Sequence, residues 1–410
     1  MHLVNGVYQN TPLDTTEIHQ ALLNIENKSR DNPLAWNGQF SPQLVEILIQ
    51  RYAPPHAVLF DPFLGSGTLL LEAGRAGLSA SGTEISPAAV YLAQTYRFIN
   101  VPTDLREAHL RAVSRLIEGT FLGGPLLSHL TDGFVADMVK AKIDELLLAI
   151  EDSFQRQLFE TFVVLLGSFK VNLSVNRIFT TWRKLSLLVR NLPFSEQTIE
   201  VYHADARQTP LRSASVDLVI TSPPYINVHN YHQQYRESTE VLNWNLLEVA
   251  KSEIGSNRKH RGNRFVTVVQ YCLDMFQVFE ELKRVSRPSA RIIFVVGRES
   301  TVQGTKFFNG EIVAEIAHRA LGFPLILRQE RVFVNRYGQK ILEDILHFLP
   351  TAGGSFRPSL ERARDVAREA LEAALLVAPD RAIADIEKAL DNINAVQPSP
   401  IFNPSKVLVV

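Results

Sequence analysis

The chain has 410 residues, 46 % of them hydrophobic and 21 % charged, with a formal net charge of −1 at neutral pH. This is ordinary globular composition; it holds no run near the roughly 18 apolar residues that a membrane-spanning helix needs, and its charge balance means that any nucleic-acid surface must be local. One cysteine, Cys272, excludes an internal disulfide and a cysteine-rich zinc site, and the opening MHLVNGVYQN lacks the basic-then-apolar pattern of a secretory signal, so a cytoplasmic location is expected.

Strands and helices alternate in two blocks separated by a helical stretch. AVLF (57–60) is a short apolar run ending at Asp61, as a buried parallel strand does. A glycine-containing turn follows, then a helix that runs down at Gly74 and Gly77, then ASGTE (80–84), a second strand ending in an acid. Ser86 before Pro87 sets a capping residue ahead of a first-turn proline and opens a helix to about residue 98. From 101 to 196 the strand pattern stops. Val135, Met138, Val139, Ile143, Leu146, Ile150, Phe154 and Leu158 recur three or four residues apart, which predicts one long amphipathic helix in a mostly helical insertion.

Strands resume with TIEVYHAD (198–205) and VDLVIT (216–221). A polar, partly basic loop and a helix near 265–286 lead to RIIFVVG (291–297). A helix at about 309–320 ends at Gly322. LILRQERVFV (325–334) and DILHFLP (344–350) then lie too close for a crossover helix, so they should pair antiparallel. Residues 359–394, rich in Ala, Leu, Glu and Arg, predict one or two helices before an extended arm. The expected fold is therefore α/β: a doubly wound, seven-stranded, Rossmann-like sheet with an antiparallel last strand. Its core is 1–100 and 197–355, with a helical insertion at 101–196 and a helical extension at 356–410. Ligands of such sheets bind at the carboxyl ends of the strands, beside the topological switch point. Asp61, Glu84, Asp205 and Ser222 all fall at such ends.

DPFLGSGT (61–68) joins a strand directly to a helix. Gly65 and Gly67 let the backbone turn tightly and approach a ligand that a Cβ would push away, and the amides at the helix start can hold an anion such as a carboxylate. The loop lacks both the Gly-Lys-Ser/Thr of triphosphate sites and the three-glycine spacing of dinucleotide sites. Glu84 can accept from both hydroxyls of a ribose, or can stand as a solvated acid at a strand end. Asp205 can accept from an adenine amine or cap a turn. In TSPPY (221–225) the paired prolines fix the backbone and remove two amide donors. A rigid rim of acceptors is left, the Ser222 hydroxyl and the carbonyls around Pro223, with Tyr225 adding a flat face.

DPFLGSGT followed by TSPPY resembles the amino-group DNA methyltransferases, which act on cytosine N4 or adenine N6. FSPQLVEILIQRY (40–52), GTEIS (82–86) and HADA (203–206) resemble further motifs of that family, and the likeness covers about 36–100 and 198–350. The resemblance implies S-adenosylmethionine as cofactor. Phe40 and Pro42 would lie near it, Asp61, Pro62, Phe63, Gly65, Ser66, Gly67 and Thr68 around its methionine part, Glu84 and Ile85 at the ribose, and Asp205 and Ala206 at the adenine. It also implies that Ser222, Pro223, Pro224 and Tyr225 hold a target base taken out of the duplex. Acceptors aimed at both N–H bonds of an exocyclic amine favour a tetrahedral nitrogen and expose its lone pair for methyl transfer. Serine at the first position of the tetrapeptide is typical of cytosine N4 enzymes, Asp or Asn of adenine N6 enzymes. The cofactor loop comes first, so the order is not the circularly permuted one. No metal is implied.

Cytosine C5 chemistry is excluded, because Cys272 sits in a predicted helix with no preceding proline, where a small buried residue is its default role. Lys251, Arg258, Lys259, Arg261 and Arg264 form a basic run after the catalytic loop, suited to DNA phosphates or to a solvated surface. Tyr231 and Tyr235 either line the base pocket or pack beneath that loop. Arg177, Arg183 and Lys184 are further phosphate candidates. The expected partners are a DNA substrate and a cognate restriction enzyme or defence partner, with the chain a monomer or homodimer. The expected activity is methylation of cytosine N4 in DNA, with adenine N6 in DNA the close runner-up and an RNA guanine N2 methyltransferase or a non-catalytic nucleic-acid-binding subunit as less favoured alternatives.

Overall fold

The structure, a computed structural model, describes residues 6–121, 136–169, 173–226, 231–256, 260, 262–334, 338–350 and 356–406. Its strands are β1 (Val58–Asp61), β2 (Ser79–Thr83), β3 (Ile199–Tyr202), β4 (Val216–Thr221) and β5 (Ser286–Gly297). After them come β6 (Glu299–Val302), β7 (Thr305–Phe308), β8 (Leu325–Val334) and β9 (Lys340–Phe348). Seven of them form one sheet in the order β3-β2-β1-β4-β5-β9-β8. The first five are parallel, and β9 runs antiparallel to both of its neighbours. This is the expected architecture. β6 and β7 make a separate hairpin that the sequence reading left out.

Apolar runs covered on both faces explain the parallel strands: in VDLVIT only Asp217 is not fully buried. Its carboxylate is used locally, accepting from the Val58 amide (2.9 Å) and pairing with Arg287 (2.6 Å). Alternation along each strand splits the core in two. Leu59, Leu218, Ile293 and Ile345 face one apolar cluster with the helices Pro42–Tyr52, Thr68–Ala76 and Pro87–Gln94. Phe60, Val219, Phe294 and Leu346 face the other, under Val266–Val285, Leu360–Leu375 and Asp380–Asp391. No described helix is long and apolar enough to cross a membrane.

The helices of the 101–196 stretch join the first cluster. The single helix expected over 135–158 is instead two, Ala136–Ala149 and Ser153–Leu166. Asp152 accounts for the break: its side chain accepts the Gln155 amide at 2.8 Å and starts the second helix. Apolar periodicity carried across the join, because both helices bury the same face. Arg106, 1 % exposed, ties the stretch to the core by donating to the carbonyls of Val101 and Leu192 (both 2.6 Å) and Pro193 (2.8 Å).

β2 and β3 lie on one side of β1 and β4 on the other, so the strand order reverses between β1 and β4. Pairing of Leu59 with Leu218 and of Phe60 with Val219 brings the loops after Asp61 and Thr221 to the same edge of the sheet. The Thr221 hydroxyl donates to Asp61 Oδ1 at 2.6 Å across that switch point.

Candidate active site

Chain reversal after β1 depends on two left-handed residues, Gly65 (φ 51°) and Gly67 (φ 89°). A Cβ on Gly67 would lie 2.8 Å from the buried Tyr96 ring, and one on Gly65 would lie 3.0 Å from Trp36. The loop is fixed from the neighbouring strand end. Glu84 accepts the Gly65 amide at Oε2 (3.0 Å) and the Ser86 amide at Oε1 (2.8 Å). Asp61 Oδ1 also accepts the Phe63 amide (2.9 Å). Burial is the main reason that both carboxyls are pushed up to about 7, against the opposing pull of these hydrogen bonds.

An open cavity of about 840 Å³, its solvent mouth included, lies over these strand ends. That is room for a nucleoside joined to an amino acid. Its wall contains Phe40, Asp61, Pro62, Phe63, Gly65, Ser66, Thr68, Glu84, Ile85, Asp205 and Ala206, together with Ser222 and Pro224. The two loops thus open onto one space. Pro42, Gly67 and Pro223 stand behind the wall: Pro42 is buried at the first turn of its helix, and Gly67 is the turn residue itself.

Tyr225 departs from its expected place, being absent from this wall. Its ring fills the space over Gly297 at the end of β5, where a Cβ would approach it to 2.8 Å. Its hydroxyl lies 3.3 Å from Ser222 Oγ, and burial pushes the phenol up. The aromatic face on the cavity comes instead from Tyr231, whose ring stacks on Trp36 (6.2 Å, 14°).

Asp205 borders the cavity, yet its carboxylate is already fully engaged. Oδ1 accepts the Arg207 amide (3.0 Å) and Nε (2.8 Å), and Oδ2 accepts an Arg207 terminal nitrogen (2.7 Å) and the Phe402 amide (2.8 Å). Four hydrogen bonds use its four lone-pair sites. A hydrogen bond from an adenine amine would have to share or replace one of these four. Glu84, which the Gly65, Ser86 and Ile85 amides all approach, keeps acceptor capacity for a ribose hydroxyl.

The sequence reading missed three contributors. Trp36, Asn37 and Gln39 form a strap over the glycine loop; the Trp36 amide donates to Gln39 Oε1 (2.7 Å), and the Asn37 amide to Gln234 (2.8 Å). Glu253 also lines the cavity, held by the His232 amide (2.7 Å) and ring Nδ1 (2.8 Å). The third is the C-terminal arm around Phe402. Among the described residues the cavity wall carries Asp61, Glu84, Asp205 and Glu253 and no Lys, Arg or His.

The basic run is less informative. Arg258, Lys259 and Arg261 lie outside the described residues. Lys251 pairs with Glu248 one helical turn away (2.6 Å), and Arg264 is half-buried just before the helix Val266–Val285. Arg177 is turned inward onto the Leu166 carbonyl, whereas Arg183 and Lys184 are exposed. Tyr235 donates to the Ala35 carbonyl (3.1 Å) and braces the strap. Cys272 is fully buried in its helix, and burial holds its thiol protonated.

Residues 10–95 match the family model of the N6/N4 methyltransferases, described as DNA methylase. A 52-residue stretch is 40 % identical to the type II methyltransferase M.MjaII of Methanocaldococcus jannaschii; it is 13 % of this chain and spans only 10 % of that protein. Among solved structures, a SAM-dependent methyltransferase from Methanosarcina mazei aligns over 75 % of this chain and 98 % of its own at 12 % identity, with a TM-score of 0.34. The rRNA methyltransferase AviRa of Streptomyces viridochromogenes aligns over 82 % and 93 % at 10 % identity, with a TM-score of 0.31.

Proposed function

We propose that this chain, whose residues 10–95 match the N6/N4 methyltransferase family model, transfers a methyl group from S-adenosylmethionine to an exocyclic amine of a DNA base, the N4 amine of cytosine. One observation carries the reading. The glycine loop, Glu84, and the Ser222–Pro224 rim line a single cavity whose described wall has four carboxylates and no cationic side chain.

That wall fits S-adenosylmethionine, which bears a sulfonium and an ammonium, and it disfavours phosphate-bearing cofactors. Gly65 and Gly67 let the backbone approach the ligand closely. Glu84 would hold the ribose, with Asp61 and the loop amides at the methionine end. When bound, the cofactor supplies an electrophilic methyl group.

The chain's own contribution is preorganised electrostatics. Ser222 Oγ and the carbonyls beside Pro223 would accept the two N–H bonds of the target amine. Its lone pair is thereby drawn out of conjugation with the ring. The paired prolines keep these acceptors from relaxing and supply no competing amide donor. Ser222 is held in turn by the Tyr225 hydroxyl. Stacking of an extruded base falls to the Trp36–Tyr231 side of the cavity rather than to Tyr225. The choice of cytosine rests on Ser222 at the first position of the tetrapeptide.

The test is incubation with isotopically labelled S-adenosylmethionine and unmethylated genomic DNA, followed by nucleoside mass spectrometry. Labelled N4-methylcytosine is expected. Labelled N6-methyladenine would overturn the base assignment, and unlabelled DNA would overturn the function.

A further inference from the structure

The arm at residues 396–402 returns to the carboxyl edge of the sheet and reaches the cavity by two routes. Arg207 carries the first. Its five N–H donors are all used: Nε to Asp205 Oδ1 (2.8 Å), one terminal nitrogen to Asp274 (2.9 Å) and the Ser399 carbonyl (2.8 Å), the other to Asp205 Oδ2 (2.7 Å) and the Pro400 carbonyl (2.9 Å). The Ser399 amide donates to Asp274 at 2.7 Å, and its hydroxyl bonds the same carboxylate. The Arg207 and Asp274 side chains are both wholly buried.

The second route is aromatic. Phe402, 6 % exposed, packs on the His203 ring at 4.8 Å, with Trp244 against the same imidazole at 4.8 Å. Burial lowers His203 to about 4, so it is neutral at pH 7, and its Nε2 bonds the Ile85 carbonyl at 3.1 Å. Nε2 therefore carries the proton. Asp205 and Ile85 both belong to the cavity wall; the Phe402 amide bonds Asp205 directly (2.8 Å), and Ile85 is one link away through His203.

Topology says which end of the ligand this affects. Ser222 follows β4, whereas Ile85 follows β2 and Asp205 follows β3, on the far side of β1 from the methyl-accepting rim. We propose that the arm is a positioning element for the adenosine half of S-adenosylmethionine, acting through Phe402 on His203 and Ile85 and through Ser399 and Pro400 on Arg207 and Asp205. This rests on the cofactor assignment above. Asp205 is spent on the latch, so the arm and not a carboxylate–amine hydrogen bond shapes this end of the site.

The test compares wild type, Phe402→Ala, Phe402→Tyr and Ser399→Ala by calorimetric titration with S-adenosylhomocysteine and by steady-state methylation of DNA. Phe402→Ala should weaken S-adenosylhomocysteine about ten-fold, as expected for loss of one aromatic contact. It should raise the cofactor KM by the same factor while kcat at saturating cofactor and the DNA KM stay within two-fold. Phe402→Tyr should restore affinity, and Ser399→Ala should weaken it two- to three-fold. Wild-type affinity in Phe402→Ala or Ser399→Ala, a parallel fall in kcat, or failure of the tyrosine to rescue would overturn the proposal. Wild-type protein that does not bind S-adenosylhomocysteine would overturn the cofactor assignment itself, a result separable from the others because it appears before any substitution.

Discussion

Raising the pH from 6 to 8 should convert the cavity from largely neutral to anionic, and affinity for a cationic cofactor should follow. Burial places both Asp61 and Glu84 at about 7, with Glu84 adding to the cost of ionising Asp61 and Glu253 to that of ionising Glu84. A ligand that needs their charged forms displaces protons below that range and none above it. A group with a pKa near 7 is roughly one-tenth ionised at pH 6 and nine-tenths at pH 8. Affinity should therefore rise about ten-fold if one carboxylate must ionise and approach a hundred-fold if both must. The two titrate as a coupled pair, so the smaller figure is the expected one. Stability of the ligand-free protein runs the opposite way. A carboxyl raised above its unfolded value favours folding only while protonated. That contribution is complete below about pH 4 and is lost as the pH climbs through about 7. At about 1.4 kcal/mol per unit, the shift at Asp61 is worth roughly 4 kcal/mol at most. Calorimetric titration with S-adenosylmethionine in two buffers of different ionisation enthalpy measures both affinity and proton release. A dissociation constant steady within two-fold from pH 6 to 8, with equal heats in both buffers, would refute the reasoning.

Ser222→Ala should lower turnover ten- to a hundred-fold with cofactor affinity changed less than two-fold, as removal of one preorganised acceptor predicts; undiminished single-turnover rates would remove that hydroxyl from the mechanism. Two glycines separate clash from strain. Gly67→Ala meets both a left-handed backbone and a Cβ contact of 2.8 Å with Tyr96, whereas Gly77→Ala meets only the backbone term, with open space around it. Denaturant unfolding should give a loss of about 1 kcal/mol for Gly77→Ala and about 3 kcal/mol for Gly67→Ala, and equal losses would contradict the contact with Tyr96.

Much of this architecture was written in local pattern. VLFD and VDLVIT are apolar runs ending in an acid or a hydroxyl, and SASGT is followed by Glu84, so these strands mark both the sheet and its ligand edge. The hairpin of β6 and β7 had a signal that was passed over: Gln303 and Gly304, both left-handed, make the two-residue turn that joins such strands. Other features have no local signature. The Trp36 strap depends on Gln234, the Glu253 carboxylate on His232, and the Arg207 latch on Ser399 and Pro400. Nothing periodic in residues 35–39 or 397–402 announces these distant partners. The seat of the Tyr225 ring has no local signature either, since the space that takes it is made by Gly297 on another strand.

The charge pattern of the cavity wall bears on the whole reaction cycle. Asp205 is paired with Arg207 and Glu253 with the His232 ring, which leaves Asp61 and Glu84 as the described wall carboxyls with no basic side chain against them. Such a surface attracts a sulfonium and repels the phosphates of a nucleic-acid strand. In the proposed reaction the sulfur would be neutral after methyl transfer, so the charges that favour the reactant would no longer hold the product's sulfur. If DNA is the substrate, as proposed, the same charges require its backbone to be gripped elsewhere. On that reading a base would enter by the Ser222–Pro224 rim while its backbone stays outside, and Arg183 and Lys184 are exposed cations elsewhere on the chain. Cofactor selection and strand exclusion thus follow from one distribution of carboxylates, and neutralising Glu253 should relax both together.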